Sequence, residues 1–352
     1  MQLQQRINAF AQLGTFLNQF RENIPVKDES LSLNDIFYEK MEACITTAHM
    51  QNSWFTPDNL AFTFKAWGGI LTKQNLEKWY SIYNIEDIKP KTVATIMAGN
   101  IPLVGFHDFL SVLLTGHYIK AKLSSNDKVL LPFLAEILKE IHPSFIDRIQ
   151  FTEEKLENFD AVIATGSNNT ATHFEYYFGK YPNIIRKNRN SVAILTGEET
   201  KIELELLAND IFRYFGLGCR NISKIFIPQD YNFDPFFNAM YTWKGIINNH
   251  KYINNYDYNK AIYLMSNIKL LDNEFMLLKE DSGYSSPISV VFYEYYDNKE
   301  ALEKKLVSEK ENIQAVVSKI GFKNEIPFGK AQTPSLWEYA DGVDTLEFLS
   351  QL

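Results

Sequence analysis

The chain has 352 residues, enough for about two domains with a substantial core, which excludes a disulfide-dependent miniprotein. Lys and Arg number 35 against 43 Asp and Glu, a formal charge of -8, so there is no general electrostatic footprint for nucleic acid. Hydrophobic residues at 45% and charged residues at 22% sit near the averages of folded chains, and the two cysteines, Cys44 and Cys219, fit reduced thiols in a cytoplasmic compartment.

The opening Met1-Gln2-Leu3-Gln4-Gln5-Arg6 lacks the apolar core of a secretory signal. Ile7, Phe10, Leu13, Phe16 and Leu17 recur at helical spacing and residues 59–64 open another apolar segment, so residues 1–88 read as a helical N-terminal region. The rhythm then changes. Thr92-Val93-Ala94-Thr95-Ile96-Met97-Ala98 is a β-branched and apolar run ended by Gly99-Asn100-Ile101-Pro102, which predicts a buried strand and a turn. Residues 101–119 are long and apolar enough to span a bilayer, but His107, Asp108 and His117 interrupt them and favour a buried helix. A helix over 103–114 is stopped by Gly116. A strand over 118–123 follows, then Ser125-Asn126-Asp127 as the cap of a helix over 128–141.

The alternation continues with a strand at 161–164, the turn Thr165-Gly166-Ser167-Asn168, a helix to about 178, a strand at 191–195 and a helix at 204–214. Short strands recur at 225–228 and 288–293. Such alternation implies a parallel sheet covered by helices, in which ligands sit at the carboxyl ends of the strands. No internal repeat, low-complexity tract or flexible linker interrupts it.

Five places bear on chemistry. In Phe215-Gly216-Leu217-Gly218-Cys219-Arg220-Asn221 two glycines allow close backbone approach and Arg220 adds positive charge, surroundings that favour a thiolate; a lone cysteine is also commonly a small buried hydrophobe. Cys44, in an ordinary amphipathic helix, fits the latter. Asn100 has an amide able to donate to an oxyanion, and is equally an ordinary turn residue. Gly166-Ser167, between a strand and a helix, suits either a phosphate cradle or simple capping. Lys122 closes a strand where it reaches a ribose or phosphate, or else water. The six histidines are scattered singly, and no metal motif, P-loop or nucleophile elbow is present.

Taken in order, Ala98-Gly99-Asn100-Ile101-Pro102-Leu103-Val104-Gly105, the strand ending in Lys122, Gly166-Ser167, Gly218-Cys219, and Pro327-Phe328-Gly329-Lys330-Ala331-Gln332-Thr333-Pro334 with Asp341-Gly342 resemble the aldehyde dehydrogenase superfamily. Within it the resemblance is to the acyl-CoA reductase branch typified by the fatty acid reductase of bacterial luminescence (LuxC-type), over residue 90 onward. It implies an α/β fold: a helical N-terminal region (1–88) on a Rossmann-type cofactor domain (89–196), an α/β catalytic domain (197–325), and a C-terminal segment (326–352) returning to the cofactor domain or an oligomer interface. Cys219 is then the nucleophile and Asn100 the oxyanion donor. Lys122, Ser124 and Ser125 bind at the adenosine ribose, Gly166 and Ser167 at the pyrophosphate, and Glu280 at the nicotinamide ribose. No metal is implied.

Two departures refine this expectation. Oxidising members carry a glutamate in Glu-Leu-Gly-Gly-Lys that activates hydrolytic water, whereas Arg186-Lys187-Asn188-Arg189-Asn190 stands here. A thioester on Cys219 would persist until hydride reduces it, so the expected direction is acyl to aldehyde. Members preferring the unphosphorylated cofactor often place a glutamate where Ser125 stands, so NADPH is expected rather than NADH. The expected donor is an acyl-CoA or an acyl-protein, with an acyl-protein synthetase as a further partner and a homodimer as the assembly. Two other classes remain open: an acyltransferase using the same acyl-cysteine without reduction, and a catalytically inactive nucleotide-binding relative.

Overall fold

A computed structural model describes residues 1–83 and 88–352; the tail of the expected N-terminal region, 84–87, lies outside the described residues. The chain divides into two units, Met1–Lys187 with Ser335–Leu352, and Asn188–Pro334.

The first unit opens with helices α1 (Leu3–Leu17), α2 (Asn34–Gln51), α3 (Pro57–Ile70) and α4 (Lys73–Tyr80). The periodic Ile7, Phe10, Leu13, Phe16 and Leu17 of α1 are all buried, and the Phe10 ring packs edge-on against Phe106 and Phe145. Each such side chain contributes about 1.5–3 kcal/mol by leaving water. The sheet then begins: β1 (Thr92–Ile96), α5 (Phe106–Thr115), β2 (Tyr118–Lys122), α6 (Leu130–Ile141), β3 (Ile149–Phe151), β4 (Ala161–Thr165), α7 (Asn168–Phe178) and β5 (Asn183–Arg186). All five strands are parallel, in the order β3-β2-β1-β4-β5.

Helix α5 is buried on nearly every side, and most of its residues are accordingly apolar. Its polar residues are individually satisfied. His107 Nε2 donates to Leu336 O (2.8 Å), Asp108 pairs with Arg186, and His117, just beyond the helix, accepts from Lys91 N (3.0 Å) and donates to Leu349 O (2.9 Å). Gly116 ends the helix at φ 98°, a left-handed value for which glycine carries no penalty. Among the described residues no helix is long and apolar enough to cross a membrane.

The second unit contains β6 (Asn190–Ile194), α8 (Lys201–Phe212), β7 (Ile222–Pro228), α9 (Asp234–Met240), α10 (His250–Met265), β8 (Leu271–Asp272), β9 (Leu277–Glu280), β10 (Val290–Tyr296), α11 (Lys299–Ser308) and β11 (Ile313–Val317). Its sheet runs β11-β6-β7-β10-β9-β8, parallel except for β8 against β9. The chain finally returns to the first unit with α12 (Thr345–Ser350), which buries Leu346 and Leu349.

Several expected boundaries move. The strand expected at 191–195, within the expected cofactor domain 89–196, is β6, which lies in the second sheet between β11 and β7, and the two units divide after residue 187. The second division likewise follows Pro334 rather than residue 325. Helix α5 starts later than 103 because Leu103 takes a left-handed φ of 55°. Helix α6 starts at Leu130 rather than 128, and the Asp127 carboxylate ahead of it accepts from Leu103 N (3.1 Å). Helix α8 starts at Lys201, where Thr200 and Glu203 form a capping box, and stops before Tyr214, whose φ is 54°. Ser289, at φ 68°, keeps 288–289 out of β10.

Candidate active site

The functional residues expected in the first unit collect at one edge of its sheet. Ile96 is in register with Lys122 of β2 and Ala164 of β4, so the turns leaving these strands lie side by side at their carboxyl ends. From β1 the chain goes to β2 on one side, while β4 leads to β5 on the other. This reversal opens the crevice in which parallel sheets bind ligands.

The turn after β1 carries Asn100, half-buried, and is braced from two directions. Met97 N donates to Lys122 O (3.1 Å). A Cβ on Gly99 would fall 2.6 Å from Ser124 Cβ and Oγ, so only glycine lets the turn approach the exit of β2 so closely. Asp127, holding Leu103 N, is buried, and burial pushes its carboxyl up to about 6. Lys122 is half-buried with Nζ donating to Glu154 O (3.2 Å), Ser124 Oγ accepts from Asn126 N (3.2 Å), and Ser125 is exposed.

Ser167 is the N-cap of α7, its Oγ accepting from Thr170 N (3.3 Å). A Cβ on Gly166 would lie 2.9 Å from Thr170 Cγ2 and 3.0 Å from Phe174, so glycine is required for the strand to pass directly into the helix. The helix begins at the carboxyl end of β4, placing its positive dipole end at the same sheet edge.

In the second unit, Cys219 is exposed, on the turn between α8 and β7. Its carbonyl accepts from Ser191 Oγ (2.9 Å), Arg220 Nε donates to Ala331 O (2.7 Å), and Asn221 Oδ1 accepts from Gly218 N (2.8 Å). The thiol therefore rides on backbone tied down on both sides. Cys44 is the contrast: it is buried in α2, and desolvation, with Asp127 nearby, pushes its thiol up to about 12. Residues before and after the Cys219 turn, among them Ile211, Phe215 and Ile222, line a small cavity of about 30 Å³ together with Tyr252, Met276 and Ile288; Cys219 itself does not border it.

Glu280 is exposed at the carboxyl end of β9, in register with Tyr293 of β10, which is itself level with Ile225 in the interior of β7. Cys219 precedes the amino end of β7, and the segment that returns toward that end is the one leading into β10: Ser223 Oγ donates to Tyr284 O (2.7 Å). Among the described residues no group of three or more His, Cys, Asp or Glu is arranged to hold a metal.

The stretch standing for the hydrolytic glutamate has no carboxylate. Its first residue, Arg186, is buried and bidentate to Asp108 (2.5 and 2.8 Å), with a third bond to Thr345 Oγ1 (3.1 Å). Reading the sequence also passed over Asp210, a fully buried carboxylate on α8, and gave no role to Asn221, although it lies two residues beyond the cysteine. A buried acid in an otherwise amphipathic helix was the available signal.

A family model described as Acyl-CoA reductase (LuxC) matches residues 50–236, just over half of the chain. The whole fold is similar to solved aldehyde dehydrogenases. One is aldehyde dehydrogenase 21 from Physcomitrella patens in complex with the reaction product succinate, at 14% identity and a TM-score of 0.61 over 90% of this chain and 73% of that one. The aldehyde dehydrogenase KauB from Pseudomonas aeruginosa is 12% identical, with a TM-score of 0.64 over 92% and 73%. An aldehyde dehydrogenase from Bacillus cereus, solved as an NAD+ complex, is 14% identical, with a TM-score of 0.60 over 90% and 72%. Identity this low shows the fold, which is aldehyde dehydrogenase-like. Among curated proteins none matches in sequence.

Proposed function

Since the chain belongs to the LuxC family of acyl-CoA reductases, enzymes that form aldehydes, we propose that it reduces a fatty acyl thioester with NADPH through an acyl group carried on Cys219. The observation that carries this reading is the exposed Cys219 on a clamped turn, set against a Cys44 whose thiol is buried and held protonated.

A nicotinamide dinucleotide fits the carboxyl edge of the first sheet. The Gly166 turn leaves the first amides of α7 beside it, a donor set suited to a pyrophosphate, and Lys122 supplies a cation next to the hydroxyls of Ser124 and Ser125, suited to the ribose. Ser125 places no carboxylate against a 2′-phosphate, which favours NADPH. Bound there, the cofactor supplies one hydride, hence two electrons, to the acyl carbon.

The chain's own groups do the rest. The Cys219 thiolate attacks the thioester carbonyl, forming the carbon–sulfur bond, and the tetrahedral oxyanion collapses by breaking the bond to the CoA sulfur, which leaves as thiolate. Asn100 is assigned to oxyanion stabilisation, a contribution of roughly 100- to 1000-fold for one donor. With no carboxylate in residues 186–190 to activate water, the acyl-cysteine is not hydrolysed. After hydride addition the thiohemiacetal expels Cys219 as thiolate and releases aldehyde. A cytoplasmic setting, where thiols stay reduced, suits this chemistry.

The test is a spectrophotometric assay of NADPH oxidation with acyl-CoAs of graded length, aldehyde being trapped, for the parent and Cys219→Ala. Loss of both acylation and NADPH oxidation in the variant is expected, and full retention would overturn the assignment. Acylation of Cys219 by acyl-CoA with no NADPH consumption would identify an acyltransferase instead.

A further inference from the structure

The approach to the Cys219 turn is strained. Between α8 and the turn, Tyr214, Phe215 and Gly216 take φ values of 54°, 59° and 75°, three left-handed residues in succession. The two non-glycine members each cost on the order of 1–3 kcal/mol and persist only where their surroundings over-determine them. Both are buried, with Phe215 against the Tyr252 ring.

The surroundings form a closed ring of hydrogen bonds. The buried Asp210 carboxylate accepts from Gly329 N (2.6 Å) and Ala331 N (3.1 Å), holding residues 329–331 as a strap. The strap returns to the turn through Ala331 O, which accepts from Arg220 Nε (2.7 Å). Asn221, also buried, completes the circuit: Nδ2 donates to the carbonyls of Asp210 (3.0 Å), Ile211 (3.2 Å) and Arg213 (2.8 Å), while Oδ1 receives Gly218 N. Gln332 Nε2 adds a bond to Asp210 O (3.3 Å). Gly329 is at φ 79°, and a Cβ there would lie 2.7 Å from Leu206 Cδ2, so the strap itself admits no side chain at that point. Thus the residue before Cys219, the residue after it and the next one are each anchored by a side chain of this ring, and Cys219 has no choice of backbone position.

We propose that Asp210 and Asn221 are positioning residues for the Cys219 nucleophile, acting through the strap of residues 329–332; the proposal rests on the reading of Cys219 as the acylated residue. Neither touches substrate. Their effect is on where the sulfur stands when the acyl group arrives, and a displacement of about 1 Å is enough to slow a reaction by about 100-fold.

The test compares the parent with Asn221→Ala, Asp210→Asn and Arg220→Gln. Acetylation of Cys219 by p-nitrophenyl acetate is followed by p-nitrophenol release and by mass spectrometry, and dodecanoyl-CoA turnover is followed with NADPH. Asn221→Ala is expected to lower the acetylation rate constant and kcat by about 100-fold and Asp210→Asn by about tenfold, with KM and NADPH affinity within twofold of the parent. A merely structural role would lower the melting temperature and leave kcat of the folded enzyme intact, and that result overturns the proposal. Arg220→Gln changes a half-buried side chain and should fold even where Asn221→Ala does not; it is expected to lose about tenfold in kcat, and parent-like kinetics there count against the proposal equally. If Cys219 of the parent is not acetylated, the underlying reading of the nucleophile fails; if the parent is acetylated and the folded variants match it, only the positioning role fails.

Discussion

Removing Asp108 alone should destabilise the first unit far more than removing it together with Arg186. The pair is buried, bidentate at 2.5 and 2.8 Å, and Arg186 also reaches Thr345, so one guanidinium joins α5, β5 and α12. Asp108→Ala leaves that cation buried without its counter-charge, a loss of about 3–5 kcal/mol. The double substitution Asp108→Leu with Arg186→Met removes both charges and fills the space with apolar atoms, so it should fall within about 1 kcal/mol of the parent or above it. Urea unfolding followed by tryptophan fluorescence reads it well, because Trp54, Trp67, Trp79 and Trp337 lie in the first unit and only Trp243 in the second. A cost below about 1 kcal/mol for Asp108→Ala would refute the reasoning, since it would mean that the guanidinium finds water when its partner is gone.

Other outcomes are as specific. One thiol per chain, Cys219, should react with a maleimide at pH 7.5 while Cys44, pushed up to about 12, stays silent until the protein is unfolded; two equivalents in the native state would contradict the burial argument. Burial also raises the Asp210 carboxyl from 3.8 to about 7, so at intermediate pH the folded chain holds a proton that the unfolded chain has shed. Its contribution to stability is complete below pH 4 and is lost as pH rises through 7, amounting to about 2 kcal/mol between pH 5.5 and 8. Asp210→Asn should remove that slope in denaturant titrations at the two pH values, and an unchanged slope would assign it elsewhere. Gly166→Ala, which drives a methyl into Thr170 and Phe174, should weaken NADPH binding at least about tenfold by calorimetry, an overpacking cost of 1–3 kcal/mol; unaltered affinity would remove this turn from the cofactor site.

The architecture was readable where local rules act alone. The β-branched run ending at Gly99 and the glycine stop at Gly116 are such places, because buried parallel strands are apolar on both faces and a left-handed helix end needs no help from distant residues. Reading failed where a side chain had a competing partner far along the chain. Asp127 reads as a cap for the helix that follows it, yet one of its oxygens also takes Leu103 N, 24 positions back, and the helix begins only at Leu130. The short edge strands β3 and β5 carry too few residues for a periodic signal. The candidates Cys219, Asn100, Lys122, Gly166 and Ser167 are legible as candidates because they stand in turns or, for Lys122, at the last residue of a strand. Asp210 and its strap are separated by more than a hundred positions, a distance no local pattern bridges.

The first unit is assembled from two stretches of chain, with the whole of the second unit threaded between them. A ribosome delivers residues 188–334 before it delivers Leu336, Leu346 and Leu349, which are buried in the core that α1 and α5 began, and before the carbonyls that receive His107 and His117. The unit that carries the proposed nucleophile can therefore close as soon as it emerges, whereas the unit proposed to take the dinucleotide must wait with an open seam and exposed apolar helices. Nascent chains stalled late in synthesis would display a finished reactive thiol on a protein that has not yet acquired its place for the reductant.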